Sequence, residues 1–304
     1  MAESNAELSG QISPLTGLSV AIVAVSTSAI LVRWSEAPSI VAAFYRVVLT
    51  TSLLAPLAFA RHRNPFASFQ RSHLLGATLA GLALSVHFAA WFESLAWTSV
   101  AASVTIVQSQ PLLVAVGAAL LLDERVTGGT VVGILVAIVG IAIMSVPDLL
   151  GGAAVGADPT YGNGLALLGA VAAAAYVLAG RSIRQRVALL PYVLVVYAVC
   201  SIGLLAVVAV QGAALSGYPP REWLLFLGMA VGPGVFGHTV LNWALAHVES
   251  SVVSVSLLAE PIGASVLALV LLAEVPDTVT IVGGVVVLTG ISLTARARPN
   301  GDDL

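Results

Sequence analysis

The apolar positions of this chain gather into ten long runs, at residues 14–33, 38–60, 74–97, 99–122, 126–146, 161–181, 188–210, 222–246, 250–273 and 277–295. A helix needs about 20 predominantly apolar residues to cross the hydrocarbon core of a bilayer. The runs therefore predict an all-α integral membrane protein with ten transmembrane helices and the lipid bilayer as its solvent. Little more than Trp97-Thr98-Ser99 separates the third run from the fourth, which makes those helices antiparallel neighbours. A buried helix of a soluble protein is the alternative reading of the shorter runs.

Two runs carry a proline near their middle, each after a polar residue: Gln110-Pro111 and Glu260-Pro261. These prolines stand 150 residues apart, and the same offset carries Glu124 onto Glu274, Gly133 onto Gly283 and Gly140 onto Gly290. The pattern divides the chain into halves at 14–146 and 161–295, joined by the Gly/Asp/Pro-rich link 147–160. Each half holds five runs, an odd number, so the second enters the membrane upside down relative to the first. Inverted repeats of this kind build transporters whose substrate site lies near the bilayer midplane. Pro111 and Pro261 are then candidate pivots.

Composition narrows the class. Hydrophobic residues make up 59% of the chain and charged residues 9%, against about a quarter in a soluble domain. All 12 basic residues are arginine. Arg61, Arg63, Arg71, Arg125, Arg181, Arg184, Arg186, Arg296 and Arg298 fall on the side of the termini, Arg33 and Arg221 on the other, and Arg46 inside a run. Cytoplasmic connections are enriched in positive charge, so both termini are expected in the cytoplasm of a bacterial inner membrane. Trp34, Trp97 and Trp223 then lie at the outer helix ends. The first 13 residues carry no Lys or Arg, so they lack the basic start of a secretory signal, and the first run is expected to stay as a helix. The lone Cys200 excludes an intramolecular disulfide and a cysteine metal cluster. A GxxxxGK[ST] phosphate loop is absent, which argues against direct drive by ATP. The net charge of −3 identifies no partner, and no nucleic-acid interface is expected.

The stretches HFAAWFESLAWTSVAASVTIVQSQPLLVAVGAALLLDERVTGGTVVGILVAIVGIAIM and GHTVLNWALAHVESSVVSVSLLAEPIGASVLALVLLAEVPDTVTIVGGVVVLTGISL share a layout. Each has a short third-to-fourth connection, a mid-helix proline, a Glu ending the fourth helix and glycines along the fifth. They resemble the EamA-type repeat of the drug/metabolite transporter superfamily, and the chain looks most like the aromatic amino acid exporters of the YddG type. The resemblance covers almost the whole chain. It implies a ten-helix carrier of small metabolites with a central cavity between its halves, exporting amino acids or related compounds. Gln110 stands where the second half has Glu260, so only one of the two sites can titrate.

A charged side chain at the bilayer centre costs about 2.5–3.5 kcal/mol and usually faces a cavity or a partner. Glu260 lies roughly 15 Å into its helix at 1.5 Å per residue, close to the midplane. It is a candidate for holding an ammonium or a proton, or for packing between helices in its protonated form. His87, Trp91 and Ser94 share one helix face, and His238 and Asn242 share another. The histidines could bind a carboxylate, relay a proton or bond between helices. With Glu260 they lack any short metal-ligand spacing, and no metal or cofactor is expected. Arg46 could meet a substrate carboxylate; pairing with Glu93 is the preferred reading. Gly232-Pro233-Gly234 is expected to break or kink the eighth helix, as a gate hinge or a static bend. Tyr45, Trp91, Tyr176, Tyr197 and Trp243 could wall a cavity for an aromatic substrate or simply pack. The substrate set is thus Glu260, His87, Trp91, Gln110, His238, Asn242, Tyr45, Tyr176 and Trp243. The segment GGVVVLTG, with Gly283 and Gly284, is a candidate surface for dimerisation or for packing within its own half, which leaves monomer and homodimer open. An exporter or uniporter of another metabolite or drug, an intramembrane enzyme working through the histidines, and a passive channel are the rival functions. Proton coupling stays open.

Overall fold

The computed structural model describes residues 13–61, 64–67, 69–97, 103, 106–122, 126–144, 158–272 and 278–297. Every regular element among them is helical. In chain order these are α1 (Pro14–Trp34), α2 (Ser39–Arg61), α3 (Arg71–Trp97), α4 (Gln110–Leu121), α5 (Gly128–Met144), α6 (Pro159–Arg184) and α7 (Leu189–Gln211). Then come α8 (Pro220–Met229), a π-helical stretch (Ala230–Thr239), α9 (Val240–Ala244), α10 (Ser250–Ser256), a 3-10 turn (Leu257–Ala259), α11 (Glu260–Leu272) and α12 (Thr278–Arg296). Glu124 and Glu274, which the repeat singled out, lie outside the described residues.

Local chemistry sets the helix ends. Ser13 caps α1 by accepting from the Thr16 amide at 3.1 Å, and Asp158 caps α6 by accepting from the Tyr161 amide at 3.0 Å. In both, proline follows the cap at the first turn, where a missing N–H costs nothing. Gly212 closes α7 at φ 64°, a left-handed conformation that an L side chain resists.

Among the described residues, six helices are long and apolar enough to cross a membrane: 14–32, 39–61, 71–94, 160–184, 189–211 and 220–244. The other four apolar runs appear as shorter helices, including Gln110–Leu121 and Ser250–Ala259. The sequence reading placed Pro111 and Pro261 in the middle of continuous helices. The chain stays right-handed helical there, but the α winding breaks just before each, at a turn over 108–109 and at the 3-10 turn Leu257–Ala259, and each proline stands second in the α-helix that follows. Within the first turn of an α-helix a proline's missing N–H leaves no bond of that helix unmade.

Of the break or kink expected at Gly232-Pro233-Gly234, the break does not occur. The chain stays helical there but widens to π winding over Ala230–Thr239. Such winding is rare and concentrates at functional sites. Hydroxyls take carbonyls of this stretch: Thr50 Oγ1 donates to the Ala230 oxygen and Thr239 Oγ1 to the Gly234 oxygen, both at 3.1 Å.

Helices before residue 145 pack on helices after residue 158 throughout. The main contacts are α3 along α6, α7 across α2 and α3, α1 against α11 and the π-helical stretch, and α5 along α12. The α5–α12 crossing corrects the reading of GGVVVLTG. Gly283 and Gly290 face α5 of the other half, while a Cβ on Gly284 would lie 3.9 Å from Ile262 of its own half. A Cβ on Gly140 would lie 2.6 Å from the Val287 amide nitrogen and 2.8 Å from the Gly283 oxygen. One on Gly133 would lie 2.7 Å from the Gly290 oxygen. All four glycines of the 150-residue pattern thus meet in one backbone-to-backbone contact.

The core is built from side chains such as Tyr192, Phe88, Phe226 and Leu84. The outer surface is also apolar: Val210 is 88%, Leu120 76% and Leu224 70% exposed. A monomer in water does not carry apolar surface of that extent, whereas a bilayer covers it.

Candidate functional site

One cavity of about 180 Å³ is enclosed by α1, α2, α3, α6, the segments around both helix breaks, and the π-helical stretch with α9. The two breaks deliver Gln108 and Gln110 from one side, and Leu257 and Glu260 from the other. Pro233 and His238 come from the π-helical stretch, so its winding shapes the cavity wall directly.

Arg46 is the dominant charge. It is buried, its guanidinium donates to Ser28 Oγ at 3.3 Å, and it lies 4.2 Å from the centre of the Phe88 ring. Glu93 is not its partner, contrary to the preferred sequence reading. The Glu93 carboxylate accepts from Trp97 Nε1 at 2.8 Å and from Gln211 Nε2 at 3.2 Å, a link between the ends of α3 and α7. Arg46 instead shares the cavity wall with Glu260, and among the described residues no ion pair joins the two. Ser26 Oγ donates to the Glu260 backbone oxygen at 3.1 Å, which fixes the start of α11 while leaving its carboxylate to the cavity.

Aromatic rings line the rest. His87 stacks on Trp91 with centroids 5.8 Å apart, Phe88 meets His238 edge-on at 5.5 Å, and Tyr176 lies 6.3 Å from His238. His87 Nδ1 is 2.9 Å from the Gly169 carbonyl. A carbonyl can only accept, so the proton sits on Nδ1 and Nε2 is the ring's remaining polar atom. Trp91 Nε1 and His238 Nδ1 are buried without a hydrogen-bond partner. Buried polar atoms are nearly always satisfied, so these two atoms, on residues of the cavity wall, are exceptions. No three His, Cys, Asp or Glu side chains among the described residues are grouped to hold a metal ion.

Of the residues expected to meet substrate, Glu260, His87, Trp91, Gln110, His238 and Tyr176 all line this cavity. Three do not. Tyr45 stacks on Phe226 at 5.0 Å and bonds the Leu215 carbonyl, in an aromatic cluster with Trp223. Trp243 packs against Gly17 and His247. Asn242 is fully buried behind the wall, where its amide donates to Tyr176 Oη at 2.5 Å and to the His238 carbonyl at 2.8 Å. It positions Tyr176 without reaching the cavity. Tyr197 sits in the same layer, 3.1 Å from Thr239 Oγ1. Sequence reasoning missed Ser28, Phe88 and Gln108. A usable signal for the last was the polar cluster Gln108-Ser109-Gln110 in an otherwise apolar run.

Comparison with known proteins agrees with this architecture. An uncharacterized transporter of Archaeoglobus fulgidus (strain ATCC 49558 / DSM 4304 / JCM 9628 / NBRC 100126 / VC-16) is 29% identical over 197 residues, covering 64% of this chain and 67% of that protein. A protein known from its crystal structure shares the fold at a TM-score of 0.78 and 18% identity, over 94% of this chain and 99% of that one. The model of the EamA-like transporter family matches residues 13–146 and 160–296, nearly the whole chain, so this multi-pass membrane protein belongs to the EamA-like transporter family.

Proposed function

We propose that the protein is a secondary transporter that exports small zwitterionic metabolites, with aromatic amino acids the best-fitting class, by alternating access. In this reading the chain forms ten membrane-crossing helices as two inverted repeats, 14–146 and 161–295. Both termini face the cytoplasm of a bacterial inner membrane, and the halves rock about the helix breaks at Pro111 and Pro261. The observation that carries the substrate class is the sharing of one aromatic-walled cavity by Arg46 and Glu260 without an ion pair between them. A substrate carboxylate meets Arg46, an ammonium meets Glu260, and a ring stacks against Trp91 or Phe88. The cavity, about 180 Å³, is smaller than the range of roughly 300–1,000 Å³ usual for drug-sized ligands, which favours a compact metabolite over a drug.

Uptake of a panel of radiolabelled amino acids into proteoliposomes, with and without a pH gradient, tests the reading. Saturable uptake of the aromatic members is expected. Stimulation by the gradient makes Glu260 the proton site, and Glu260→Gln then abolishes the stimulation while the protein stays folded. Near-normal, gradient-stimulated transport by that variant returns Glu260 to a packing role. A chemically altered product in place of a relocated one establishes an enzyme instead.

Topology has its own test. Asp158 and Arg186 are exposed at opposite ends of α6, whereas Arg184 is buried and donates to the Asn242 carbonyl at 2.9 Å. The native Cys200 is buried and silent to a polar thiol reagent. A cysteine at Asp158 is expected to react from outside the cell and one at Arg186 only after permeabilisation. The opposite pattern inverts the proposed orientation.

A further inference from the structure

A second cavity, about 430 Å³, opens where the start of α3, the end of α4 and the end of α6 meet. The central cavity has no part in it. Its polar wall holds Ser72 and His73 from α3 and Arg181, Ser182 and Arg186 from the end of α6 and the turn after it. Its apolar wall includes Leu121, which is 73% exposed. Leu75, one turn into α3, is 61% exposed. The spans of α3 and α6 begin and end here, at Arg71 and Arg184, so the polar wall lies at headgroup level and the leucines at acyl-chain level.

We propose that this cavity binds the phosphodiester headgroup of an anionic phospholipid. Three independent features point to that chemistry. Arg186 is exposed beside the cavity, and each arginine near a membrane surface adds about 1 kcal/mol of attraction for anionic lipid. The first turn of α3, a 27-residue helix, brings backbone N–H groups and the positive end of its dipole to the wall. His73 lines the wall and its Nδ1 has no hydrogen-bond partner; carrying the ring proton, Nδ1 would donate to a phosphate oxygen. The Arg181 guanidinium donates to the Leu245 carbonyl at 3.0 Å, and Leu245 lines the central cavity. A bound headgroup would therefore brace α3 and α6 beside that cavity. Asp123 and Glu124 follow Leu122 in the chain and lie outside the described residues.

Native mass spectrometry of the full chain in detergent tests the site, with phosphatidylglycerol, phosphatidylcholine and inorganic phosphate as separate probes. The expected result is retention of phosphatidylglycerol over phosphatidylcholine and no displacement by inorganic phosphate. Arg186→Gln should weaken phosphatidylglycerol about fivefold, the equivalent of one surface arginine. His73→Leu should weaken it further, with unfolding temperatures unchanged in both variants. Equal retention of the two lipids, or unaltered binding in the double variant, overturns the proposal. Displacement by inorganic phosphate makes the occupant a soluble anion and overturns the lipid assignment. None of these readings depends on what the protein transports.

Discussion

Arg46→Met is expected to lower transport of a carboxylate-bearing substrate about 100-fold while leaving the protein as stable as before, or more so. The two effects separate because Arg46 serves the cavity, not the fold. Its guanidinium has one long hydrogen bond to Ser28 and the face of Phe88, and no described carboxylate pairs with it. Burying that charge costs free energy that the surrounding helices do not return, so an apolar side chain of similar length in its place is expected to be neutral or stabilising. Removing one partner of a desolvated charge pair between protein and ligand costs about 2–5 kcal/mol, and each 1.4 kcal/mol is a factor of ten. Thermal unfolding in detergent beside initial transport rates checks both halves. A variant that unfolds readily would make Arg46 a structural residue; one that transports normally would remove it from the binding site.

Gly140→Val is expected to do the reverse and damage the fold far from the cavity. The added Cβ would press on the Val287 nitrogen and the Gly283 oxygen, both backbone atoms of α12, which cannot move without separating the helices. Helix association in lipid relies on such close backbone approach, since apolar contact with a neighbouring helix gains little over contact with acyl chains. The expected loss is about 3 kcal/mol, the upper end of the usual overpacking range, seen as a fall in monodisperse protein and in unfolding temperature. Gly164→Val is the control. It lies in α6 with nothing within 4 Å of its Cβ position, and is expected to behave like the wild type. Equal behaviour of the two variants would mean that α5 and α12 do not hold the structure together.

The sequence carried the broad outline because lipid imposes it. Runs of about 20 apolar residues have few other uses, and a carboxylate such as Glu260 or a guanidinium such as Arg46 is tolerated in such a run only when it has somewhere polar to face. The offset of 150 residues also anticipated which glycines would matter, though not that Gly133, Gly140, Gly283 and Gly290 would meet each other across the chain. Choosing among aromatic residues was harder. In a membrane helix the lipid-facing and core-facing sides are both apolar, so periodicity does not separate Trp91, at the cavity, from Trp243, packed on Gly17. The π winding at Ala230–Thr239 was hidden for a related reason. Gly232-Pro233-Gly234 signals that ordinary helix bonding fails, but the repair by Thr50 and Thr239 depends on tertiary neighbours. Arg46 was assigned to Glu93 because both were charged and near the outer side. Trp97 and Gln211, one turn along and on another helix, had already taken that carboxylate.

The central claim is that one cavity reads both ends of a zwitterion. Its most direct measurement is counterflow in proteoliposomes preloaded with phenylalanine, challenged from outside with phenylalanine, its decarboxylated amine, or its deaminated acid. The account predicts saturable exchange stimulated by phenylalanine and at least tenfold weaker stimulation by either analogue, about 1.4 kcal/mol for each lost charge contact. Equal stimulation by all three, or flux that does not saturate, would contradict it.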